Sequence, residues 1–160
     1  MFLNCTALTD VYINSSKLVD AGDMFYGCTA LETVYINNPP VEGTYSEISN
    51  GASMFRGCTK LHTFDEASCN LTGLKNGERM FYECTALTSF VGKLESLLSG
   101  WHMFHDCKLS EDSLENIYNY IYDLKAAGLC EWVEDEEKEG AYKIEDKGTD
   151  EQWSYYIWTN

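Results

Sequence analysis

The chain has 160 residues, with 11 Lys and Arg against 26 Asp and Glu, and a formal net charge of −15. This length fits a single domain, or a domain with an appendage. The charge argues against nucleic-acid binding, which needs clustered Lys and Arg, and against an anionic membrane surface. No run of about 18 apolar residues occurs, so we expect no membrane insertion. The first residues, MFLNCTALTD, lack the basic and apolar regions of a signal peptide.

The sulfur-containing residues reveal an internal repeat. Each of the five Met is followed by Phe, and a Cys stands three residues after each of these Phe. The repeated phrase is M-F-x-x-C-T-x-L-x-x-[V/F], and its Cys are spaced by 23, 30, 26 and 23 residues. A period in the twenties with Leu at fixed offsets indicates a leucine-rich-repeat type of solenoid, whose coils bury equivalent side chains against one another.

One strand is predicted in each of the first four coils. Residues 8–13 and 31–36 share the pattern L-x-x-V-x-I, which ends in an alternation of inward apolar and outward variable positions. Residues 61–66 and 87–92 keep apolar residues at the first two fixed places of this pattern, Leu and then Phe, but have no Ile at the third. We expect these strands to form a parallel sheet, with each Met-Phe segment on the opposite side as a short turn or a one-turn helix before Cys.

The second unit is the longest and contains two loop signals. These are Asn-Asn-Pro-Pro at 37–40 and Ser-Asn-Gly at 49–51. Clusters of Asn, Pro and Gly mark turns and loops. We therefore place the extra residues of this unit in a loop at the edge of the array.

The repeat stops after Cys107, where a capping helix is predicted. Ser110 is its expected N-cap, followed by acidic residues in the first turn, and Gly128 is its expected stop. Apolar residues then recur at helical spacing, at Leu114, Ile117, Tyr118, Ile121 and Leu124. Solenoids need such a cap, since the last coil otherwise exposes its apolar face. The predicted boundaries are a solenoid over 1–109, a cap over 110–130 and a tail over 131–160.

The tail is acidic and aromatic. Residues 131–151 carry ten acids and three lysines, for a net charge of −7, and 134–139 is predicted to be a solvated loop. Residues 141–144 and 153–158 are predicted to form two strands of a hairpin. Its aromatic residues offer either a second recognition surface or a face that packs on the cap helix; they are Trp153, Tyr155, Tyr156 and Trp158.

The repeat resembles the BspA-like leucine-rich repeats of bacterial surface proteins. The resemblance covers residues 1 to about 109. The sequence departs from the family pattern in two ways: it lacks Ile-Pro after the strand, and its last unit, Cys107-Lys108-Leu109, has no Thr and has Leu one position early. It implies a right-handed α/β repeat solenoid of about four coils, with a binding or adhesive role. It also implies an extracellular or cell-surface location in a bacterium.

The first coil has no polar cap. The repeat opens at Met1 in the middle of a phrase, and an uncapped solenoid end is an aggregation liability. We therefore expect either that the chain is part of a longer array or that its first coil stacks on another molecule.

The Cys of the repeat are expected to be reduced, buried and structural. A disulfide between coils is the alternative, because stacked strands lie within nominal disulfide reach, but side chains in one column point the same way. Cys69 and Cys130 lie outside the column and could pair or be exposed. The structural residues of the repeat are Phe25, Cys28, Leu31, Phe55, Cys58, Leu61, Phe81, Cys84, Leu87, Phe104 and Cys107.

Enzymatic and metal chemistry are not expected. His102, His105 and Cys107 are the residue types of a zinc site, but Cys107 belongs to the inward phrase. The sequence has no phosphate-binding glycine loop and no G-x-S-x-G nucleophile motif. We expect no cofactor, no metal and no catalytic residue.

The outward positions of the predicted strands are the candidate binding surface. Exposed Tyr among Thr, Asp and Ser is typical of recognition surfaces, although the Tyr could equally pair across strands for stability. The candidate residues are Asp10, Tyr12, Thr33, Tyr35, Thr63, Asp65 and Ser89. We expect a protein or glycan ligand. The alternative is a structural or host-recognition part of a larger phage or secreted assembly.

Overall fold

The computed structural model describes residues 1–15, 17–36, 48–65, 68–94 and 96–117, and the backbone of three later strands. Short strands alternate with turns up to residue 107, and a helix, α1, covers residues 111–117. The strands are β1 (Asp10–Ile13), β2 (Thr33–Ile36), β3 (Thr63–Asp65), β4 (Ser89–Val91), β5 (Cys130–Glu134), β6 (Tyr142–Asp146) and β7 (Ser154–Ile157).

The first four strands form two parallel pairs. In β1 and β2, Val11 lies opposite Val34, and in β3 and β4, Phe64 lies opposite Phe90. Each of these four residues is buried, because alternate side chains of a strand point to the core. The predicted single sheet is therefore interrupted between β2 and β3 among the described residues.

A three-residue insertion explains the interruption. Ile36 at the end of β2 forms its parallel bridge with Cys69, and its N–H donates to the Ser68 carbonyl at 2.8 Å. The third coil has Glu66 where the first two coils have Ile13 and Ile36, and Cys69 stands three positions later. Cys69 thus occupies the place of the third strand anchor, and its burial follows from this place in the repeat.

A second column of backbone bridges runs along the array. Asp20 pairs with Asn50, Asn50 with Asn76, and Asn76 with Ser99. Each stands four residues before a repeat Met. The side-chain oxygens of Asp20, Asn50 and Asn76 each accept the N–H two residues ahead, at 3.0, 3.2 and 3.0 Å. Of the residues that carry the loop signals of the second unit, Asn50 forms two of these isolated bridges, while 37–47 lies outside the described residues.

The Met-Phe segments form turns that bond directly to the next coil. In the first four coils, the N–H of the Phe after each repeat Met donates to the carbonyl of the next repeat Met, for instance from Phe2 to Met24 at 2.8 Å and from Phe55 to Met80 at 2.9 Å. From the second coil onward, two positions per coil have positive φ, the residue before Met and the residue before Cys. These turns therefore stack as regularly as the strands do.

The core consists of two columns of Phe rings that interlock. Consecutive turn-segment rings lie 5.5 Å apart and nearly parallel, and Phe64 and Phe90 from the strands meet them edge-on. Offset stacked and edge-to-face contacts are the preferred geometries of aromatic rings. Full burial of one such side chain contributes about 1.5–3 kcal/mol by transfer from water. The turn-segment column is Phe2, Phe25, Phe55, Phe81 and Phe104.

Helix α1 begins at the predicted N-cap. The Ser110 hydroxyl accepts the N–H of Ser113 at 3.3 Å, and Ile117 is buried. Leu114 packs against the core. The predicted helix continuation over 118–128 lies outside the described residues.

The tail contains a three-stranded antiparallel sheet in the order β5-β6-β7. The two predicted strands correspond to β6 and β7, with Ile144 opposite Tyr155. Strand β5 was not predicted: Cys130 was placed at the end of the cap and Glu134 in the acidic loop, yet both lie in β5. The remainder of that loop, and the tail side chains proposed as a surface, lie outside the described residues.

Candidate functional site

The strand face over β1 and β2 presents two stacked tyrosines. Tyr12 and Tyr35 lie opposite each other in the parallel register, with ring centroids 5.3 Å apart and an interplanar angle of 23°. Tyr12 is 72% exposed, whereas Tyr35 is half-buried. Asp10 lies opposite Thr33, and its carboxylate accepts the Thr9 hydroxyl at 2.7 Å. The four predicted residues of this half of the surface are therefore neighbours.

The strand face over β3 and β4 is smaller and mostly polar, with Val91 exposed opposite Asp65. Thr63, which is exposed, lies opposite Ser89, which is half-buried. Asp65 is exposed, and its carboxylate accepts both the N–H and the hydroxyl of Ser68, at 2.8 and 3.1 Å. Asp65 thereby stabilises the turn that follows β3, so part of its hydrogen-bonding capacity is already used.

The two halves of the strand face do not form one continuous ladder. The described link between them is the bridge from Ile36 to Cys69. The predicted site residues thus form two groups, one centred on Tyr12 and Tyr35 and one on Thr63, Asp65 and Ser89.

Comparison with known protein families gives one match. The model of the BspA type leucine-rich repeat region matches residues 1–125 in six copies. The chain belongs to this family. The recognition made from the sequence is confirmed, and the match continues past residue 109 to include α1. Neither the curated proteins nor the solved structures give a match.

Membership of the BspA type repeat family supports a solenoid-like repeat fold. The pattern of buried residues agrees with this fold. Every structural residue predicted from the phrase is buried, including Leu31, Leu61 and Leu87 at 0% exposure. In the first coil the equivalent Cys5 is exposed and Leu8 is half-buried. No helix in the described part of the chain is long and apolar enough to span a lipid bilayer.

The repeat Cys have a role that the sequence analysis did not foresee. From the second coil onward, each thiol donates to the carbonyl of the Phe in the preceding coil. The pairs are Cys28 with Phe2, Cys58 with Phe25, Cys84 with Phe55 and Cys107 with Phe81, at Sγ–O distances of 3.0, 3.3, 3.1 and 3.1 Å. These thiols are free, and so is the thiol of Cys69. The regular offset between Phe and Cys is the sequence signal for this contact.

Burial keeps these thiols protonated. It raises the pKa of Cys58, Cys69 and Cys107 to about 12, and that of Cys84 well above its ordinary value. A thiol acts as a nucleophile or metal ligand only as the thiolate. The geometry therefore assigns the column a packing and hydrogen-bonding role.

The histidines before Cys107 lie on the face of the turns. His105 stacks on Tyr82 at 4.6 Å between ring centroids, and His102 meets His105 edge-on at 5.1 Å. The Cys107 thiol instead points to the Phe81 carbonyl. Among the described residues, no three His, Cys, Asp or Glu side chains converge as metal ligands.

A row of side chains on this turn face was not predicted from the sequence. We define the turn row as the residues two positions after each repeat Met in the second to fifth coils: Tyr26, Arg56, Tyr82 and His105. Aligning the variable positions of the phrase, rather than only its anchors, would have revealed the alternation of aromatic and basic residues.

Proposed function

We propose that the chain is a non-catalytic recognition module at a bacterial cell surface, which binds a protein or glycan through its strand face. The observation that carries the proposal is the stacked pair of Tyr12 and Tyr35 beside Asp10 and Thr33. Tyr offers a large contact area at low entropic cost, and holding one ring against another lowers that cost further.

The family supports this proposal. Arrays of BspA type repeats are commonly binding modules of surface-associated proteins. Adhesion, and an extracellular or cell-surface location in a bacterium, are therefore the expectations for this chain. The strand face carries Asp10 and Asp65, and a surface with these carboxylates disfavours nucleic-acid phosphates as ligands.

Two features support a module without catalysis or cofactors. The buried thiols are held protonated, so they are unsuited to nucleophilic attack. The candidate strand-face residues are Tyr, Thr, Ser and Asp, whose roles here are contact and hydrogen bonding.

Right-handed coiling is part of the proposal. Strand pairs β1/β2 and β3/β4 are parallel, with one crossover between the members of each pair. Such crossovers are right-handed in about 98% of cases, because a right-twisted strand packs back onto its sheet only in that way. A crystal structure of the chain would test the handedness directly.

The binding experiment compares the native chain with a Tyr12→Ala, Tyr35→Ala double variant. Both are applied to an immobilised glycan panel and to a displayed random-peptide library. Lys75→Ala, an exposed residue outside the strands, is the matched control. We expect the double variant to lose at least tenfold in affinity for the selected glycan or peptide, while the control binds as the native chain does.

Stability measurements distinguish recognition from cross-strand pairing. An aromatic pair contributes about 0.5–1.5 kcal/mol beyond area burial, so the double variant should remain folded. Unchanged binding together with a loss of about 1 kcal/mol in unfolding free energy would show that the tyrosines only stabilise the sheet. Failure of the native chain to select any glycan or peptide would favour a structural spacer in a larger assembly.

A further inference from the structure

The turn row is a continuous stack of aromatic and basic groups. The guanidinium carbon of Arg56 lies 5.2 Å from the Tyr26 ring centroid and 4.7 Å from the Tyr82 ring centroid. The His105 ring stacks on Tyr82 at 4.6 Å with an interplanar angle of 17°. Arg56 is therefore held between two tyrosines from neighbouring coils. Such a sandwich fixes the guanidinium before any ligand arrives.

Arg56 has no acidic partner in the described part of the chain, unlike the other arginine. Arg79 pairs with Glu78 at 3.3 Å and covers Trp101 at 4.1 Å. The chain has 26 acidic residues, and yet the Arg56 guanidinium contacts none of those described. Its Nε is buried without a hydrogen-bond partner. A rigid guanidinium without an acidic partner among the described residues is equipped to bind a carboxylate.

Gly57 follows Arg56 in the chain and has no side chain, whereas at the equivalent Gly27 the Asn4 side chain occupies the place that a Cβ would take. Gly27 and Gly57 precede the repeat Cys in the coils of Tyr26 and Arg56, and both have positive φ. Positive φ alone does not require glycine here, because Asn4, Glu83 and Asp106 adopt it at the equivalent positions. A Cβ built on Gly57 would meet no atom closer than 3.8 Å. Glycine at 57 therefore leaves empty a place where a side chain would be in ordinary van der Waals contact with Gly27.

We propose that Arg56 anchors a second binding site, which takes a glutamate or aspartate side chain from an acidic segment of a protein partner. The carboxylate bonds to the guanidinium fork, with Tyr26 and Tyr82 on either side and the bare backbone of Gly57 beneath. Arg and Tyr are the residues enriched in protein-binding hot spots. Arg56 and His105 cover the two faces of Tyr82, so that ring is closed to stacking on a sugar. The site lies on the turns and is independent of the strand face.

The probe is the peptide acetyl-Gly-Glu-Gly-Glu-Gly-amide, titrated into the isotope-labelled chain. Its matched control is the same peptide with Gln in place of Glu. Because the Nε of Arg56 is buried, its N–H should exchange slowly and give an observable NMR signal. We expect saturable shifts of this signal and of the Gly57 amide with the Glu peptide. The Gln peptide should bind at least tenfold more weakly.

Three variants locate the site. Arg56→Lys keeps the positive charge but loses the forked guanidinium. We expect it to bind the Glu peptide at least tenfold more weakly, as measured from the NMR signal of the Gly57 amide. Gly57→Asp places a competing carboxylate beside Arg56, while Gly57→Asn has the same size without charge. Asp106 and Asn4 show that both residues tolerate the φ of this position. We expect Gly57→Asp to bind at least tenfold more weakly than Gly57→Asn, a comparison that does not depend on the folding of Arg56→Lys.

The outcomes separate this site from the strand face and from glycan binding. Tyr12→Ala should leave the Glu-peptide affinity unchanged; a parallel loss would move the site to the strand face and overturn the proposal. Equal shifts with the Gln peptide, or equal affinities of the Asp and Asn variants, would also overturn it. A uronic-acid tetrasaccharide that binds more tightly than the Glu peptide would identify the site as a glycan site and contradict a protein partner.

Discussion

The hydroxyl oxygen of Ser113 in α1 accepts a 2.9 Å hydrogen bond from the backbone N–H of Phe90 in β4. Two residues further on, the N–H of Gly92 donates to the Asn116 side-chain oxygen at 3.4 Å. β4 is the last parallel strand of the array, and an open strand edge is a template for aggregation. Side chains of the helix therefore take the place that another strand would occupy.

Replacing Ser113 with Ala should destabilise the array through this edge. Both Ser113 and the Phe90 N–H are buried, so the substitution would leave this N–H without a hydrogen-bond partner. The unfolding free energy should fall by about 1–3 kcal/mol. Urea denaturation at constant protein concentration would measure the change. Glu115→Ala, an exposed site on the same helix, should change it by less than about 0.5 kcal/mol. Equal effects of the two substitutions would contradict the edge-closing role.

Replacing Glu83 with Gly should stabilise the chain. Glu83 is exposed and has a φ of 62°, a conformation that costs a non-glycine residue roughly 1–2 kcal/mol. Part of this gain is offset by the greater freedom of glycine in the unfolded chain, which leaves about 1 kcal/mol. Thermal and urea unfolding would detect it. Glu32→Gly is a matched exposed position without positive φ and should not stabilise; stabilisation by both would refute the backbone explanation.

Alkaline pH should destabilise the chain through its buried thiols. Burial raises the pKa of Cys69 from 9.0 to about 12, so the folded state keeps this proton while the unfolded state releases it. The stability that depends on the protonated thiol is complete below pH 9 and is lost as pH rises towards 12. Between about pH 8 and pH 10, each such thiol should reduce the unfolding free energy by about 1.4 kcal/mol.

The contribution of one thiol is measurable by difference. Urea unfolding under reducing conditions, at about pH 8 and pH 10, would compare the native chain with Cys69→Ala. The variant lacks part of the core at both pH values. The decrease in its unfolding free energy between the two pH values should be smaller than that of the native chain by about 1.4 kcal/mol. An identical fall in both proteins would show that Cys69 does not contribute to the alkaline effect.

The predictions that succeeded rest on residues whose spacing is local. The M-F-x-x-C phrase located the coils, the L-x-x-V-x-I pattern located β1 and β2, and Ser110 located the start of α1. The misses concern insertions and partners. Cys69 was left unexplained because a three-residue insertion moves it into the place of a strand anchor, and the bridge column through Asn50 was not predicted.

The sequence by itself determined that this protein has a solenoid-like repeat fold and which side chains of the repeated phrase are buried in its core. Apolar residues at a fixed period can be buried only against their own copies, so the repeat and its family follow from spacing alone. The tertiary structure decided what those coils bring together. It placed Arg56 between Tyr26 and Tyr82, each Cys thiol on a Phe carbonyl and Ser113 on the edge of β4. These contacts join residues more than 20 positions apart. Because the repeat units differ in length, the separation between contacting residues varies, and the pairs can be identified only after the coils are aligned in space.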